Sequence, residues 1–270
     1  MLDMPIALVG FGEAGSTFAE AAGWRAQARA YDIAPERRGV MRKAGVSACA
    51  TLGETLADAP LALSLVTADA ALQVTTDSAP FLREDAIFCD MNSVAPATKA
   101  AAEAVCVSAG KHYVDVAILA PVRPAALDVP LLVSGAAAEN AAGLLKTCGF
   151  TNVSLAGRQV GRASAIKLVR SIMVKGIEAL TGEMMMAAGR LGVTDDVLES
   201  LDRSEREAGW KQRAAYNMGR MREHGRRRAA EMDEAIAMLE AVDIDPVMTR
   251  ATAARQREQA GDANGGDVAA

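Results

Sequence analysis

Hydrophobic positions in the N-terminal half of the chain form short runs that are separated by Ala-rich stretches. Short apolar runs without strict alternation are typical of strands buried on both faces, and the stretches between them have a helical composition. This alternation predicts βαβ units and a mainly parallel sheet. The predicted strands are Ile6–Phe11, Arg29–Asp32, Val46–Ala50, Leu61–Val66, Ile87–Met91, Tyr113–Leu119, Pro130–Ser134 and Val153–Ala156.

The pattern changes near Gly157. From Arg162 to about Arg257 the chain is rich in Ala, Met, Leu, Glu and Arg, which favour helices, and a first long helix is predicted from Ala163 to about Leu191. We therefore predict an α/β domain with a parallel sheet followed by an all-α domain. The predicted bounds are 1–160 for the sheet domain, 161–258 for the helical domain and 259–270 for a flexible tail.

Composition narrows the classes of partner. The chain has 29 basic and 34 acidic residues and a formal net charge of −5, which argues against nucleic acid or an anionic membrane as the main partner. Four cysteines without a C-x-x-C pair and two histidines argue against a metal site and favour a reducing compartment. Neither a signal segment nor an apolar run of about 18 residues is evident. We expect a cytoplasmic protein with a small-molecule partner.

A glycine-rich string follows the first predicted strand. Gly10 allows a tight turn, Gly12 lets the backbone approach a pyrophosphate, and Gly15 lets the next helix pack near the strand. The N-terminus of that helix offers free N–H groups to the phosphates. An acid, Asp32, follows about 20 residues later, as a dinucleotide-binding site requires. The predicted cofactor contacts in the loop are Gly10, Phe11, Gly12, Glu13, Ala14 and Gly15.

Asp32 bears on the choice of cofactor. Its carboxylate suits the ribose hydroxyls of NAD and would repel the 2′-phosphate of NADP. Arg37 and Arg38 lie just beyond and suit that phosphate instead, so Arg37 is a further candidate contact. NAD is favoured and NADP stays open. The alternative is a structural glycine turn with a surface aspartate.

Two further strands end in small polar residues. Ligands of such sheets bind beyond the carboxyl ends of the strands. In "LVTADA", Val66 and Thr67 are therefore candidate cofactor contacts. In "DMNSVAP", Asn92 and Ser93 are candidate substrate contacts. The alternative is helix capping by Asp69 and Ser93.

The first long helix carries a polar face at the predicted domain junction. Lys167, Arg170 and Ser171 share that face at helical spacing. A partly buried lysine exchanges a proton with an alcohol when burial lowers its pKa. The alternative is a solvated polar face.

These stretches resemble the β-hydroxyacid dehydrogenases, which include 6-phosphogluconate and 3-hydroxyisobutyrate dehydrogenases. "GFGEAGSTFAE" looks like their N-terminal loop, and "DMNSVAPAT" is similar to their Asp-x-Ser-Thr-x-x-Pro substrate loop. "YVDVAILAP" lies where they carry Asp-Ala-Pro-Val-Ser-Gly-Gly, and "KLVRS" is close to the Lys-Met-Val-His-Asn of phosphogluconate dehydrogenases. Order and spacing agree across about residues 5–185.

The resemblance implies a Rossmann domain, an all-helical second domain and a homodimer. It also implies that Lys167 is the general acid/base while hydride moves between a nicotinamide ring and a small substrate. The pattern departs from the family at three places. Leu119-Ala120-Pro121 replaces the Ser-Gly-Gly that helps bind the substrate acid, and Ser171 replaces an Asn. Val174 replaces a Glu, so Glu178 is the remaining candidate acid for a decarboxylation. Arg170 stands at the position of a His and suits an anionic group. Leu119, Arg170 and Ser171 are therefore candidate substrate contacts.

A later stretch, "RMREHGRRRAAEM" (220–232), resembles a helical module of a poorly characterised branch of this group. His224 is a candidate substrate contact there, on a helix face shared with Arg220, Arg227 and Glu231 and extended upstream by Arg213 and Tyr216. The alternative is a surface helix with ion pairs. For the whole chain we expect an NAD(P)-dependent oxidoreductase of small, anionic hydroxy or keto compounds. An imine-type reductase and a non-enzymatic NAD(P) sensor are the alternatives, although imine reductases usually replace the lysine.

Overall fold

A computed structural model of the chain describes residues 4–204, 210–241 and 243–261, without some side chains in the helices after residue 171. The strands are β1 (Ile6–Val9), β2 (Ala28–Tyr31), β3 (Ser47–Ala48), β4 (Leu61–Ser64), β5 (Ile87–Asp90), β6 (His112–Ile118), β7 (Leu131–Ser134) and β8 (Val153–Gly157). The helices are α1 (Glu13–Ala22), α2 (Arg37–Lys43), α3 (Leu52–Leu56), α4 (Ala71–Ser78), α5 (Pro96–Ser108), α6 (Val122–Ala125), α7 (Ala138–Thr147), α8 (Arg162–Leu191), α9 (Thr194–Ser204), α10 (Trp210–Ala241) and α11 (Val247–Gly261).

The eight strands form one sheet in the order β3-β2-β1-β4-β5-β6-β7-β8. Neighbouring strands are parallel except β6 and β7, which are antiparallel. The order runs outward in both directions from β1 and β4, so a crevice for a ligand opens between the ends of these two strands. The predicted mainly parallel sheet and the all-helical part that follows it are both confirmed.

The core lies on both faces of the sheet. Along β1, Ile6 and Leu8 belong to one buried apolar cluster, and Ala7 and Val9 belong to the other. Each of these four side chains is almost completely buried. Both faces of the strand are covered, which explains why its apolar residues form a run instead of alternating with polar ones.

The chain divides into two compact units, Met1–Arg170 and Ser171–Ala270. This division falls ten residues after the predicted boundary at 160, because the start of α8 is bonded to the sheet. The N–H of Ala163 donates to Ser134 Oγ at 3.0 Å, and the N–H of Ser164 donates to Asp115 Oδ2 at 3.0 Å. At the other end, α11 continues to Gly261, so the first three residues of the predicted tail are helical, and 262–270 lie outside the described residues.

The second unit contains a close contact between two helices. A Cβ built on Gly225 of α10 would lie 2.3 Å from the carbonyl oxygen of Gln256 in α11, so only glycine fits there. A buried carboxylate, Glu183, accepts hydrogen bonds from the N–H groups of Met248 and Thr249 at 2.8 and 2.9 Å. Burial alone would raise the pKa of Glu183, but the bonds from Thr249 and Met248 outweigh burial and lower it. Glu183 therefore acts as the cap of α11 from a distant part of the chain.

No helix in the described part of the chain has the length and apolar character needed to cross a membrane. The side chains of Glu178, Arg213, Arg227 and Glu231, which the sequence placed on candidate helix faces, lie outside the described residues.

Candidate active site

The glycine loop connects β1 to α1 and packs against the end of β4. Gly10 has a φ of +92°, and a Cβ there would lie 2.5 Å from the carbonyl oxygen of Leu65. A Cβ on Gly15 would lie 2.8 Å from the carbonyl oxygen of Gly10. These two glycines are required because backbone meets backbone, with no room for a side chain.

Gly12 differs from the other two glycines. Its φ is −76°, which any residue adopts, and a Cβ there would meet nothing within 4 Å. Gly12 is also the N-cap of α1 and provides no side-chain cap, so the first N–H groups of the helix, which include those of Glu13 and Ala14, keep their hydrogen-bonding capacity. Open space beside a helix N-terminus fits the pyrophosphate of a dinucleotide.

Asp32 lies beside this loop at the end of β2. Its Oδ2 accepts a hydrogen bond from the N–H of Phe11 at 2.7 Å, and its Oδ1 accepts one from the N–H of Ala34 at 2.9 Å. Each oxygen retains a lone pair for a ribose hydroxyl. The sequence predicted Asp32 as a ligand contact but did not reveal that Asp32 also holds the glycine loop through the N–H of buried Phe11. Arg37 is exposed at the start of α2.

The ends of β4 and β5 are tied together by Asn92. Its Oδ1 accepts from the N–H of Val66 at 2.7 Å, and its Nδ2 donates to Ser64 Oγ at 2.9 Å. Asn92 is buried, so in the structure it shapes the loop after β4, and a substrate contact through it stays a prediction. Thr67 and Ser93 are exposed at the same edge of the sheet.

Asp69 and Ser93 are not the N-caps of the helices that follow them. The N-caps of α4 and α5 are Ala70 and Ala95, and neither makes a side-chain cap bond. Asp69 instead hydrogen bonds to the hydroxyl of Thr67, which lowers the pKa of Asp69. Helix capping by Asp69 and Ser93 is therefore wrong. Ser93 keeps an exposed side chain that is available to a ligand.

Lys167 lies on α8 within the first unit and is half-buried. One turn further along the helix, Arg170 donates from Nη1 to the carbonyl oxygen of Leu119 at 3.0 Å. Leu119 in turn donates its N–H to the carbonyl oxygen of Pro130 at 2.9 Å. The structure therefore joins the loop after β6 to the helix that carries Lys167, as expected if both belong to one site.

Two predicted site residues belong to the second unit. Ser171 is half-buried on α8, and His224 is exposed on α10, with its Nε2 3.7 Å from Glu223 Oε2. On the same helix, Arg220 donates to the hydroxyl of Tyr216 at 3.2 Å and lies over its ring. A substrate contact through Ser171 or His224 stays a prediction.

Sequence reasoning missed a buried ionic cluster between β5, β6 and α5. The Nζ of Lys99 lies 2.9 Å from Asp90 Oδ1 and 3.4 Å from Asp115 Oδ1, and all three side chains are essentially inaccessible to solvent. A signal was present, because each of two apolar strands carries one aspartate. Within the described residues, no group of three or more Asp, Glu, His or Cys side chains converges as a metal site would.

The glycine loop, Asp32 and the doubly wound sheet define a dinucleotide-binding protein of the Rossmann type. The chain belongs to the family of the NAD binding domain of 6-phosphogluconate dehydrogenase, which matches residues 5–154. Residues 188–259 match a domain of unknown function, DUF1932.

Two solved structures are similar to this chain over nearly its whole length. A conserved hypothetical protein from Sinorhizobium meliloti 1021 is 34% identical, covers 100% of this chain and 92% of its own, and has a TM-score of 0.65. The conserved protein MTH1747 is 31% identical, covers 95% of this chain and 96% of its own, and has a TM-score of 0.65. It is of unknown function and is described as similar in structure to 3-hydroxyacid dehydrogenases.

A more distant likeness concerns the fold alone. The imine reductase from Myxococcus stipitatus is 19% identical in its complex with NADP⁺, covers 97% of this chain and 96% of its own, and has a TM-score of 0.78. Its V8 variant is described in complex with NAD⁺.

The three glycines give a test of the cofactor loop. We expect Gly12→Ala to fold like the wild type, because its Cβ enters open space, but to bind NADH about tenfold or more weakly, because that space is needed by the pyrophosphate. Fluorescence titration with NADH measures the affinity. Gly15→Ala is the matched comparison, and its backbone clash should lower the free energy of unfolding by about 1–3 kcal/mol. Unchanged NADH affinity in Gly12→Ala would contradict the site.

Proposed function

We propose that the protein is an NAD(P)-dependent oxidoreductase that transfers hydride between the nicotinamide ring and a small anionic hydroxy or keto compound. The observation that carries this proposal is the half-buried Lys167, which belongs to the same compact unit as the glycine loop, on a helix bonded to the sheet. The nicotinamide ring supplies the hydride acceptor or donor when it is bound. The resemblance to hydroxyacid dehydrogenases supports the reaction class.

Lys167 moves the proton that accompanies hydride transfer. In the oxidation direction its neutral amine takes the proton of the substrate hydroxyl, and in the reduction direction its ammonium group returns a proton to the carbonyl oxygen.

Arg170 recognises the anionic part of the substrate. Leu119 already donates its N–H to Pro130, and Pro121 has no N–H, so this loop offers fewer backbone donors than the Ser-Gly-Gly of the resembling enzymes. Arg170 uses Nη1 on the carbonyl of Leu119 and carries further N–H donors. A guanidinium in this position pairs with a carboxylate or a similar anion.

We also propose a homodimer and a cytoplasmic location. On α8, Met173, Val174, Ile177 and Leu180 are each more than a third exposed and recur at helical spacing. A continuous exposed apolar stripe of this kind suits contact with a second copy. The location is supported by four unpaired cysteines, which are typical of a reducing compartment.

The proton-transfer role of Lys167 is tested by substitution. We expect Lys167→Met to bind NADH normally and to lose turnover by about 100-fold or more, the usual contribution of general acid–base catalysis. A panel of hydroxy and keto acids, followed by nicotinamide absorbance, measures turnover, with the exposed Lys146→Met as control. Full activity in Lys167→Met would contradict the role. Turnover of cyclic imines alone would favour the imine reductase, and NADH binding without any turnover would favour the sensor.

Cofactor preference is tested at Asp32. We expect the wild type to bind NADH about tenfold or more tightly than NADPH, because the carboxylate repels the 2′-phosphate. Asp32→Asn keeps an acceptor for the N–H of Phe11 but removes the charge, so the ratio of the two dissociation constants should fall. Arg37→Gln is the comparison variant. If the wild type binds NADPH more tightly than NADH, and Arg37→Gln weakens NADPH binding, the site prefers the 2′-phosphate of NADPH and the expectation is wrong.

The dimer is tested by sedimentation equilibrium. We expect the wild type to sediment as a dimer and Ile177→Glu to sediment as a monomer, because a buried unpaired charge is costly at an apolar interface. Val107→Glu, at a more exposed apolar position on α5, is the control and should remain dimeric. A monomeric wild type would contradict the proposed homodimer.

A further inference from the structure

The buried ionic cluster connects two parts of the proposed active site that are far apart in sequence. One end is the loop after β4, where Val66 donates its N–H to Asn92. The backbone N–H of Asn92 donates to Asp90 Oδ1 at 2.9 Å, and Lys99 donates to the carbonyl oxygen of Asp90 at 2.7 Å. Lys99 then reaches Asp115, 3.4 Å away.

The other end of the cluster is the first turn of α8. Asp115 Oδ2 accepts from the N–H groups of Gly161 and Ser164 at 3.2 and 3.0 Å. Asp115 Oδ1 accepts from the hydroxyl of Ser164 at 2.6 Å. Ser134 adds a further bond to this turn, because its hydroxyl accepts from the N–H of Ala163 and donates to Asp115. One carboxylate therefore satisfies several donors of the helix start at once.

The charges of the cluster are compatible with complete burial. Lys99 contributes one positive charge against the two carboxylates, and the N-terminus of the long helix α8 adds a partial positive charge beside Asp115. Tyr113 donates its hydroxyl to Asp90 Oδ2 at 2.6 Å. Burial and the charge of Asp90 raise the pKa of Tyr113 well above its usual range, so this hydroxyl stays a neutral donor.

Lys167 is three residues beyond Ser164, so the two side chains lie on neighbouring positions of one helix face. We propose that Asp115, paired with Lys99, is a positioning residue that holds the first turn of α8 and thereby sets the place of the Lys167 amine. The proposal rests on the proposed function only for the role that it gives to Lys167. It assigns Asp115 no contact with substrate or cofactor.

The decisive variant is Ser164→Ala. It removes the hydroxyl bond to Asp115 but leaves the three buried charges and the two backbone bonds in place, so folding is expected. We expect amide hydrogen exchange in residues 162–168 to become about tenfold faster. We also expect a shifted pH profile for acylation of Lys167 by acetic anhydride, followed on its peptide by mass spectrometry. Ser164→Thr, which retains a hydroxyl, should restore both measurements.

Leu145→Ala is the control for stability. Leu145 is fully buried on α7, so its truncation lowers the free energy of unfolding without touching the cluster. Its Lys167 profile should equal that of the wild type. Asp115→Asn, where circular dichroism shows a folded protein, should give the same changes as Ser164→Ala to a greater degree. If Asp115→Asn does not fold, Ser164→Ala alone decides.

Two results would overturn the proposal. One is wild-type exchange and a wild-type Lys167 profile in Ser164→Ala. The other is faster exchange with an unchanged profile, since Asp115 would then be a structural cap only. Both measurements work without a known substrate. A wild type that turns over no compound of the panel would therefore count against the proposed function, while the positioning role would still be decided.

Discussion

The contact between the Asp115 carboxylate and the first turn of α8 is the interaction on which the arrangement of the proposed site depends. It connects β6 to the helix that carries Lys167 and Arg170, and it explains why that helix start belongs to the compact unit of the sheet. Lys99 makes this contact sustainable, because an unpaired carboxylate in the core is strongly disfavoured. Removing one partner of a buried pair typically costs about 3–5 kcal/mol, whereas a well-packed apolar replacement of the whole cluster is often neutral. The cluster is thus better explained by the geometry that it imposes than by net stability.

On the cofactor side of the site, close backbone packing holds the geometry, as the buried charges do at the start of α8. Gly10 and Gly15 allow the loop to lie against the end of β4 and against itself, and Asp32 fixes its middle through Phe11. Gly12 alone faces open space. One glycine string therefore combines two structural glycines with one that leaves room for a ligand, a distinction that the spacing alone does not reveal.

The sequence predicted those features that depend on local patterns. Runs such as Ile6–Phe11 identified buried strands, and the long Ala- and Met-rich stretch after Arg162 identified α8. Features that depend on long-range partners escaped prediction. Asp90 and Asp115 each stand out in an apolar strand, but Lys99 lies in an Ala-rich helix, and no local pattern pairs it with the two aspartates. The compact units divide at 170 instead of 160 for the same reason, because Ser134 and Asp115 accept hydrogen bonds from the start of α8.

The loop at Leu119 offers few backbone donors, and in the proposed function the side chain of Arg170 supplies donors to the substrate anion instead. In the resembling enzymes a Ser-Gly-Gly segment helps bind the substrate acid. Here the N–H of Leu119 is engaged by Pro130, and Pro121 has no N–H, so two of the three positions provide no donor. Arg170 meets the same loop through the carbonyl of Leu119 and keeps donors for an anion. Because a planar guanidinium with several donors suits a planar carboxylate, the loss of backbone donors and the presence of Arg170 are compatible with one substrate class.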